Sequence, residues 1–241
     1  MRQPSTGTRP PAAPATQARG GTCWACRSAV ADEHFCPACG KIQASALAQD
    51  YFAFLGLPRK LALDRNQLEQ RFRQLSWKLH PDHFSTATAY ERALSLEKSA
   101  VLNDAYRTLR EPIARVHYLL GCEGVRREGE IKQQAPPDLL EEVFELNEYL
   151  EELRAAQRAG GDTIEIQELR QRLETARQQF EAKLHAVEAE LFDRFREWDA
   201  LLDGGADAAA RKQKMEEMNG ILNRHSYIRN LVRNVTEELE T

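Results

Sequence analysis

Two stretches of this chain set reactive residue types at spacings that particular chemistries require. The first, CWACRSAVADEHFCPACG, places Cys23, Cys26, Cys36 and Cys39 as two C-x2-C pairs with nine residues between them. Two residues between thiolates let a tight turn aim both sulfurs at one tetrahedral ion, and a second pair completes the shell. Gly40, directly after Cys39, can take the positive φ that such a turn wants. A pair of disulfides is the competing use, but no secretory signal marks an oxidising destination. A redox C-x-x-C belongs beside a βαβ pattern, which this sequence lacks. The spacing therefore points to a structural Zn²⁺ held by all four cysteines, with no coordination position left open for catalysis. His34, on the intervening loop, is expected to be a bystander, and Cys122 a buried thiol in the next domain.

The second stretch is RFRQLSWKLHPDHF, from Arg71 to Phe84. Leu68, Phe72, Leu75 and Leu79 recur every three or four residues and then meet His80-Pro81-Asp82. Proline pushes the residue before it away from helical angles, so a helix should end near His80. Stopping a helix requires the proline but neither the histidine nor the aspartate around it. Arg71, Arg73 and Lys78 lie off the apolar stripe and face solvent or an acidic partner. The tripeptide is thus either a helix stop with an incidental histidine or a working tip.

The elements that must position these residues are helical. Of the 241 residues, 42% are hydrophobic and 29% charged, the balance of a protein rich in surface helices. No apolar run approaches the ~18 residues of a membrane span. The net charge of −4 is unevenly spread: residues 1–48 carry +3, residues 49–121 carry +3, and residues 122–241 carry −10. Such asymmetry suggests modules that meet partners of opposite sign. Residues 1–22 hold four prolines, three arginines and no acid, which is the composition of a disordered tail. A transit peptide is also basic and acid-poor, but those prolines would spoil its amphipathic helix.

A tetracysteine module is expected over 23–43 and a helical domain over 49–121, with a short helix at 49–56. Asp64, followed by Gln67, caps a second helix, and Ser85 caps a third that runs to about Leu109 and stops before Pro112. Three long apolar stripes follow, at 136–158, 163–202 and 207–239, separated by Gly160-Gly161 and Gly204-Gly205. Single-striped helices joined by short turns pack as an antiparallel three-helix bundle, here over 136–241. His225 and the methionines of the last stripe read as core. The expected fold class is all-α.

One feature exceeds core duty. Leu140 and Phe144 sit about 100° around their helix from the stripe that begins at Leu139. Glu145, Glu148 and Glu152 lie beside them. An apolar pair flanked by acids is either a protein-binding face or a widened core face, and the pattern alone leaves both open.

His80-Pro81-Asp82 after a basic helix, followed by Asn103, Ala105, Tyr106, Leu109, Pro112, Arg115 and Tyr118, resembles the J-domain family. That resemblance implies a helical hairpin whose tip stimulates ATP hydrolysis by a DnaK-type chaperone, with His80, Pro81 and Asp82 as trigger and Arg71, Arg73 and Lys78 as docking cations. A tetracysteine segment, a J-domain and an acidic three-helix domain with LLEEVFELNEYLEEL narrow the resemblance to the HscB-type J-proteins of iron–sulfur cluster assembly. It covers about 23–239 and is strongest in the J-domain and at 138–153. It implies a DnaK/HscA-type ATPase and an IscU-type scaffold protein as partners. Leu140, Phe144, Glu145, Glu148, Glu152 and Tyr227 match the family's scaffold-binding positions. Bacterial members commonly lack the cysteines, so CWAC and FCPAC are similar to the mitochondrial form. The loop at 154–166 is longer than the family's usual one. Arginine outnumbers lysine 25 to 8, which leans towards a bacterial cytoplasm, with the mitochondrial matrix as the alternative.

A general J-protein for unfolded clients would explain the tripeptide but not the face around Phe144. A zinc-ribbon nucleic-acid binder conflicts with the −10 of the C-terminal half, which repels phosphate. No nucleophile–base set or phosphate-cradling glycine loop argues for an enzyme, and neither nucleic acid nor membrane is an expected partner.

Overall fold

The computed structural model describes residues 21–31, 33–44, 50–126, 136–161 and 163–240. The tail expected over 1–22 lies outside them as far as residue 20. Its last two residues belong to the module instead: strand β1 (Gly21–Thr22) pairs antiparallel with β2 (Ala29–Val30), Gly21 opposite Val30. The described chain is otherwise helical, as the all-α expectation required, and divides into two compact units, Met1–Arg127 and Glu128–Thr241.

In the first unit, two similar turns present the cysteines. The Arg27 amide bonds the Cys23 carbonyl at 3.0 Å, and the Gly40 amide bonds the Cys36 carbonyl at 2.8 Å. Each turn closes on a left-handed residue, Gly40 at φ 71° and Arg27 at φ 66°. Only the second of these positions carries the glycine that makes such a turn visible in sequence.

Helix α1 (Tyr51–Phe54) is a single turn capped by the Asp50 side chain, shorter than the 49–56 expected. Helix α2 (Arg65–Leu79) opens at Asp64, whose carboxylate accepts from the Asn66 amide at 2.9 Å. It ends at Leu79, because His80 before the proline is extended at ψ 130°. Residues Pro81–Phe84 form a 3-10 turn. Helix α3 (Ala89–Arg110) returns antiparallel, with Phe72 and Tyr106 stacked 4.1 Å apart across the hairpin.

The cap of α3 is Thr88, not Ser85. Ser85 is taken up by the turn that follows Pro81, where its amide bonds the Asp82 carbonyl, so an extended cap first becomes available three residues later. Thr88 and Glu91 then exchange bonds in a full capping box. Pro112 does not end the domain either. It occupies the first position of a further helix, α4 (Pro112–Cys122), where its missing N–H costs nothing. Arg115 of α4 is buried and donates to the Leu109 carbonyl at 2.7 Å, and Tyr118 stacks on Tyr51. Cys122 is buried, as expected.

The second unit is the expected three-helix bundle: α5 (Leu140–Ala159), α6 (Thr163–Asp203) and α7 (Ala208–Leu239). Gly160 and Gly205 close α5 and α6 with left-handed backbones. Helix α6 has 41 residues and both other helices pack along it, burying Leu146, Leu153, Leu173, Leu191, Met218 and Leu222. At 1.5 Å per residue α6 is roughly 60 Å long. His225 is core, as expected, with Nε2 3.2 Å from Glu188 Oε1. No described helix is long and apolar enough to cross a membrane.

Candidate functional site

Three places gather the residues singled out by sequence. In the first, the four cysteine sulfurs lie within 4.8 Å of one another. Cys23 Sγ is 3.6 Å from Cys39 Sγ, and Cys26 Sγ is 3.7 Å from Cys36 Sγ. A disulfide would need about 2.05 Å. A tetrahedron with metal–sulfur bonds of ~2.3 Å has sulfur–sulfur edges of about 3.8 Å, so the four thiols already have the dimensions of a metal shell. The amides of Ala25 and Cys26 and the buried Gln43 side chain all point at Cys23 Sγ, at 3.4, 3.5 and 3.4 Å. Burial works against a Cys23 thiolate, but the Cys26 and Ala25 amides, with the Cys26 and Cys39 thiols, outweigh it and bring the thiol down to about 6. The Lys41 amide favours ionisation of Cys39, but desolvation and the neighbouring thiols prevail and push it up to about 12. Four thiols this close resist ionising together unless a cation joins them.

His34 departs from its expected role. It ligates nothing in this shell, yet it joins the module to the helices. Burial brings it down to about 4, so the ring is neutral. Its Nε2 lies 2.8 Å from the Phe54 carbonyl and must be the donor there. That tautomer leaves Nδ1 to accept from Lys98 Nζ at 3.4 Å. The ring also packs edge-on to Phe54.

The second place is the hairpin tip. The side chains of His80 and Asp82 are 53% and 88% exposed, and their polar contacts stay within the tripeptide: the Asp82 amide donates to His80 Nδ1 at 3.3 Å. Burial does not explain why these residue types stand here. The three cations expected to dock a partner do not form one cluster. Arg73 lines a shallow groove of about 430 Å³ together with Trp77, His80, Asp82 and His83. Arg71 and Lys78 line another groove, of about 250 Å³, with His34 and Phe54. Sequence reading missed Trp77 and His83. Trp77 is 69% exposed, and His83 meets its ring edge-on at 4.9 Å. An aromatic residue off the apolar stripe of a basic helix was the available signal.

The third place is the outer face of α5. Leu140 and Phe144 are 55% and 64% exposed, so they are not a widened core. With Glu148 and Glu152 they form one ridge at four-residue spacing, apolar at its start and acidic at its end, and Glu145 flanks it. Tyr227 is half-buried on α7. Arg224 of α7 pairs with Asp138, just before α5, and Arg154 of α5 pairs with Glu238 of α7, so the two helices run parallel.

No family model matches the chain, but individual proteins do. A co-chaperone protein HscB homolog of Vibrio vulnificus is 41% identical over 104 residues, which is 43% of this chain and 61% of that protein. The match therefore spans about three fifths of the Vibrio relatives' length. The co-chaperone protein HscB homolog of Bordetella avium is 35% identical over 170 residues, 70% of this chain and 89% of that protein. Among solved structures, human co-chaperone protein HscB superposes with a TM-score of 0.60 at 26% identity, covering 90% of this chain and 97% of its own. Chaperone HscB from Vibrio cholerae gives 0.51 at 25% identity, over 78% of this chain and 95% of its own. By its extended match to the Bordetella protein and its likeness to the two solved structures, this chain belongs to the HscB family of co-chaperones.

Proposed function

We propose that this chain stimulates ATP hydrolysis by a DnaK/HscA-type chaperone and delivers an IscU-type iron–sulfur scaffold protein to it. His80, Pro81 and Asp82 act as the trigger. Arg73 docks on the same side as the trigger, while Arg71 and Lys78 extend the positive surface along the other flank of α2. Leu140 and Phe144 anchor the scaffold, Tyr227 supports them, and Glu145, Glu148 and Glu152 orient it. Cys23, Cys26, Cys36 and Cys39 hold one structural Zn²⁺, and the reading places the chain in the cytoplasm. Nothing in it calls for an activity of the chain's own.

The observation that carries this reading is the tip itself, where a histidine and an aspartate are held in the open by a short turn with no packing role. The apolar ridge on α5 favours a dedicated scaffold over general unfolded clients, because two exposed anchors at fixed spacing select one shape.

The test is steady-state ATP hydrolysis by a DnaK-type chaperone with and without this protein. His80→Gln is expected to keep the wild-type melting temperature and lose all stimulation. Wild-type stimulation by His80→Gln would overturn the trigger reading. Elemental analysis of protein purified without chelator is expected to show one zinc per chain.

A further inference from the structure

The cysteine module has a side chain that reaches the base of the hairpin tip. Lys41 follows the second turn directly, and that turn fixes its backbone: its carbonyl accepts from the Cys36 amide at 2.9 Å and from the Gln43 side chain at 2.8 Å. Its ammonium lies 2.8 Å from Glu91 Oε1, on a carboxylate whose side chain is only 4% exposed. The other oxygen of Glu91 accepts from the Thr88 amide at 3.2 Å and the Thr88 hydroxyl at 2.9 Å. Thus one oxygen completes the capping box of α3 and the other is paired by the metal module. Beside this pair, Trp24 packs edge-on against Tyr90 and donates to the Ile42 carbonyl at 2.7 Å.

Helix α3 in turn holds the approach to the trigger. The hydroxyls of Ser95 and Ser99 both donate to the Leu79 carbonyl, at 2.7 and 3.0 Å, and Leu79 is the residue before His80. The 3-10 turn that carries Asp82 ends four residues before Thr88. The serine hydroxyls thus fix the start of the tip to the second and third turns of α3, while its end runs through residues 85–87 directly into the Thr88 cap. That cap has a buried oxygen that only the module satisfies among the described residues. Removing the partner of a buried carboxylate oxygen exposes the full cost of desolvating it.

We propose that Lys41 is a positioning residue for the trigger, through which the metal-held cysteine turn completes the cap of α3 and fixes the geometry of His80-Pro81-Asp82. The proposal rests on the trigger reading given above. It explains why a small metal module should sit on this hairpin at all: occupancy of the cysteines sets how firmly the tip is held. The cap contributes what helix caps ordinarily do, so its loss should raise local opening of the first turn of α3 roughly fivefold.

The experiment uses the full chain with its metal bound and compares wild type, Lys41→Ala, Lys41→Arg and His80→Gln. Lys41→Ala is expected to keep one metal ion per chain while amide exchange at Glu91 and Arg92 speeds up roughly fivefold and stimulation of a DnaK-type ATPase falls severalfold. Lys41→Arg, which keeps the cation, should restore both. Chelation should bring wild type down to the Lys41→Ala level and take little more from Lys41→Ala. Wild-type exchange and stimulation in metal-loaded Lys41→Ala would overturn the proposal, as would loss of the metal in that variant. His80→Gln separates the two readings. If it is inactive while Lys41→Ala is normal, the positioning role fails alone, whereas if it stimulates normally, the trigger reading fails.

Discussion

The hairpin tip and the α5 ridge both expose residues that a stable fold would rather bury or omit, but they are supported differently. The tip is four residues of 3-10 turn held by caps, serine hydroxyls and a cysteine-built brace. The ridge is one side of a regular helix, and the rigidity of the bundle core beneath it comes from Leu146, Leu153 and their neighbours. If the tip is the trigger proposed above, its geometry can be adjusted from outside. If the ridge holds the proposed scaffold, it does so on a regular helix whose shape is fixed by the core beneath it. The contrast predicts that the ridge can be disarmed without touching stability and that the tip can be weakened from a distance.

The largest effect should come from the ridge. Truncating a central apolar anchor of an interface usually costs about 2 kcal/mol or more. Leu140→Ala combined with Phe144→Ala should therefore weaken scaffold binding at least tenfold in a calorimetric titration. Because both side chains are more than half exposed, the melting temperature should not move, and J-domain stimulation in the absence of scaffold should stay at the wild-type level. A destabilised double variant that bound scaffold normally would remove the distinction between the two regions. His80→Gln is the reciprocal case: no stimulation, normal scaffold affinity.

A smaller effect is expected along α2. Charge reversal at Arg71, Arg73 or Lys78 should lower chaperone affinity severalfold, more so at low salt, since steering between opposite charges is screened. The two-sided arrangement sharpens this. Arg73 shares its groove with His80 and Asp82, so Arg73→Glu should weaken binding more than Arg71→Glu or Lys78→Glu, which act on the far flank. Equal losses at all three would mean that the chaperone covers both sides of the helix.

How far the sequence revealed this arrangement depended on how local each cause was. The cysteine turns, the end of α2 before Pro81 and the three bundle stripes are set by neighbours a few residues away, and these were legible. Thr88 and Ser85 are equally good caps on paper. What decides between them is the 3-10 turn after Pro81, which consumes Ser85. Pro112 reads as a stop in sequence, yet it stands in the first turn of α4, a position that a proline occupies as readily as a helix end. Leu140 and Phe144 were visible as an off-stripe pair, but only their exposure separates a ridge from a wide core. Lys41 with Glu91, and His34 with Phe54, join segments 50 and 20 residues apart, and no local pattern announces such pairs.

The smallest expected effect concerns the bundle's surface charges. Glu197 of α6 accepts from Arg194 on its own helix at 2.5 Å and from Lys214 of α7 at 2.7 Å, and these bonds bring its carboxyl down from 4.5 to about 2. A carboxyl held low in the folded state stabilises the fold at pH values above its unfolded pKa. That stabilisation is lost as the pH falls through the folded value, here from about 4.5 towards 2. Glu197→Gln removes the charge at every pH. Its melting temperature should therefore lie slightly below wild type at pH 7, and the two should converge near pH 2. The gap should be small and should shrink with added salt, because the Glu197 side chain is 43% exposed and such pairs are largely screened. A gap that persisted at pH 2 would mean that Glu197 contributes by packing instead of charge. A gap larger than that of the Lys41→Ala cap variant would reverse the comparison, making the bundle's surface pairs more important to its fold than the brace is to the tip.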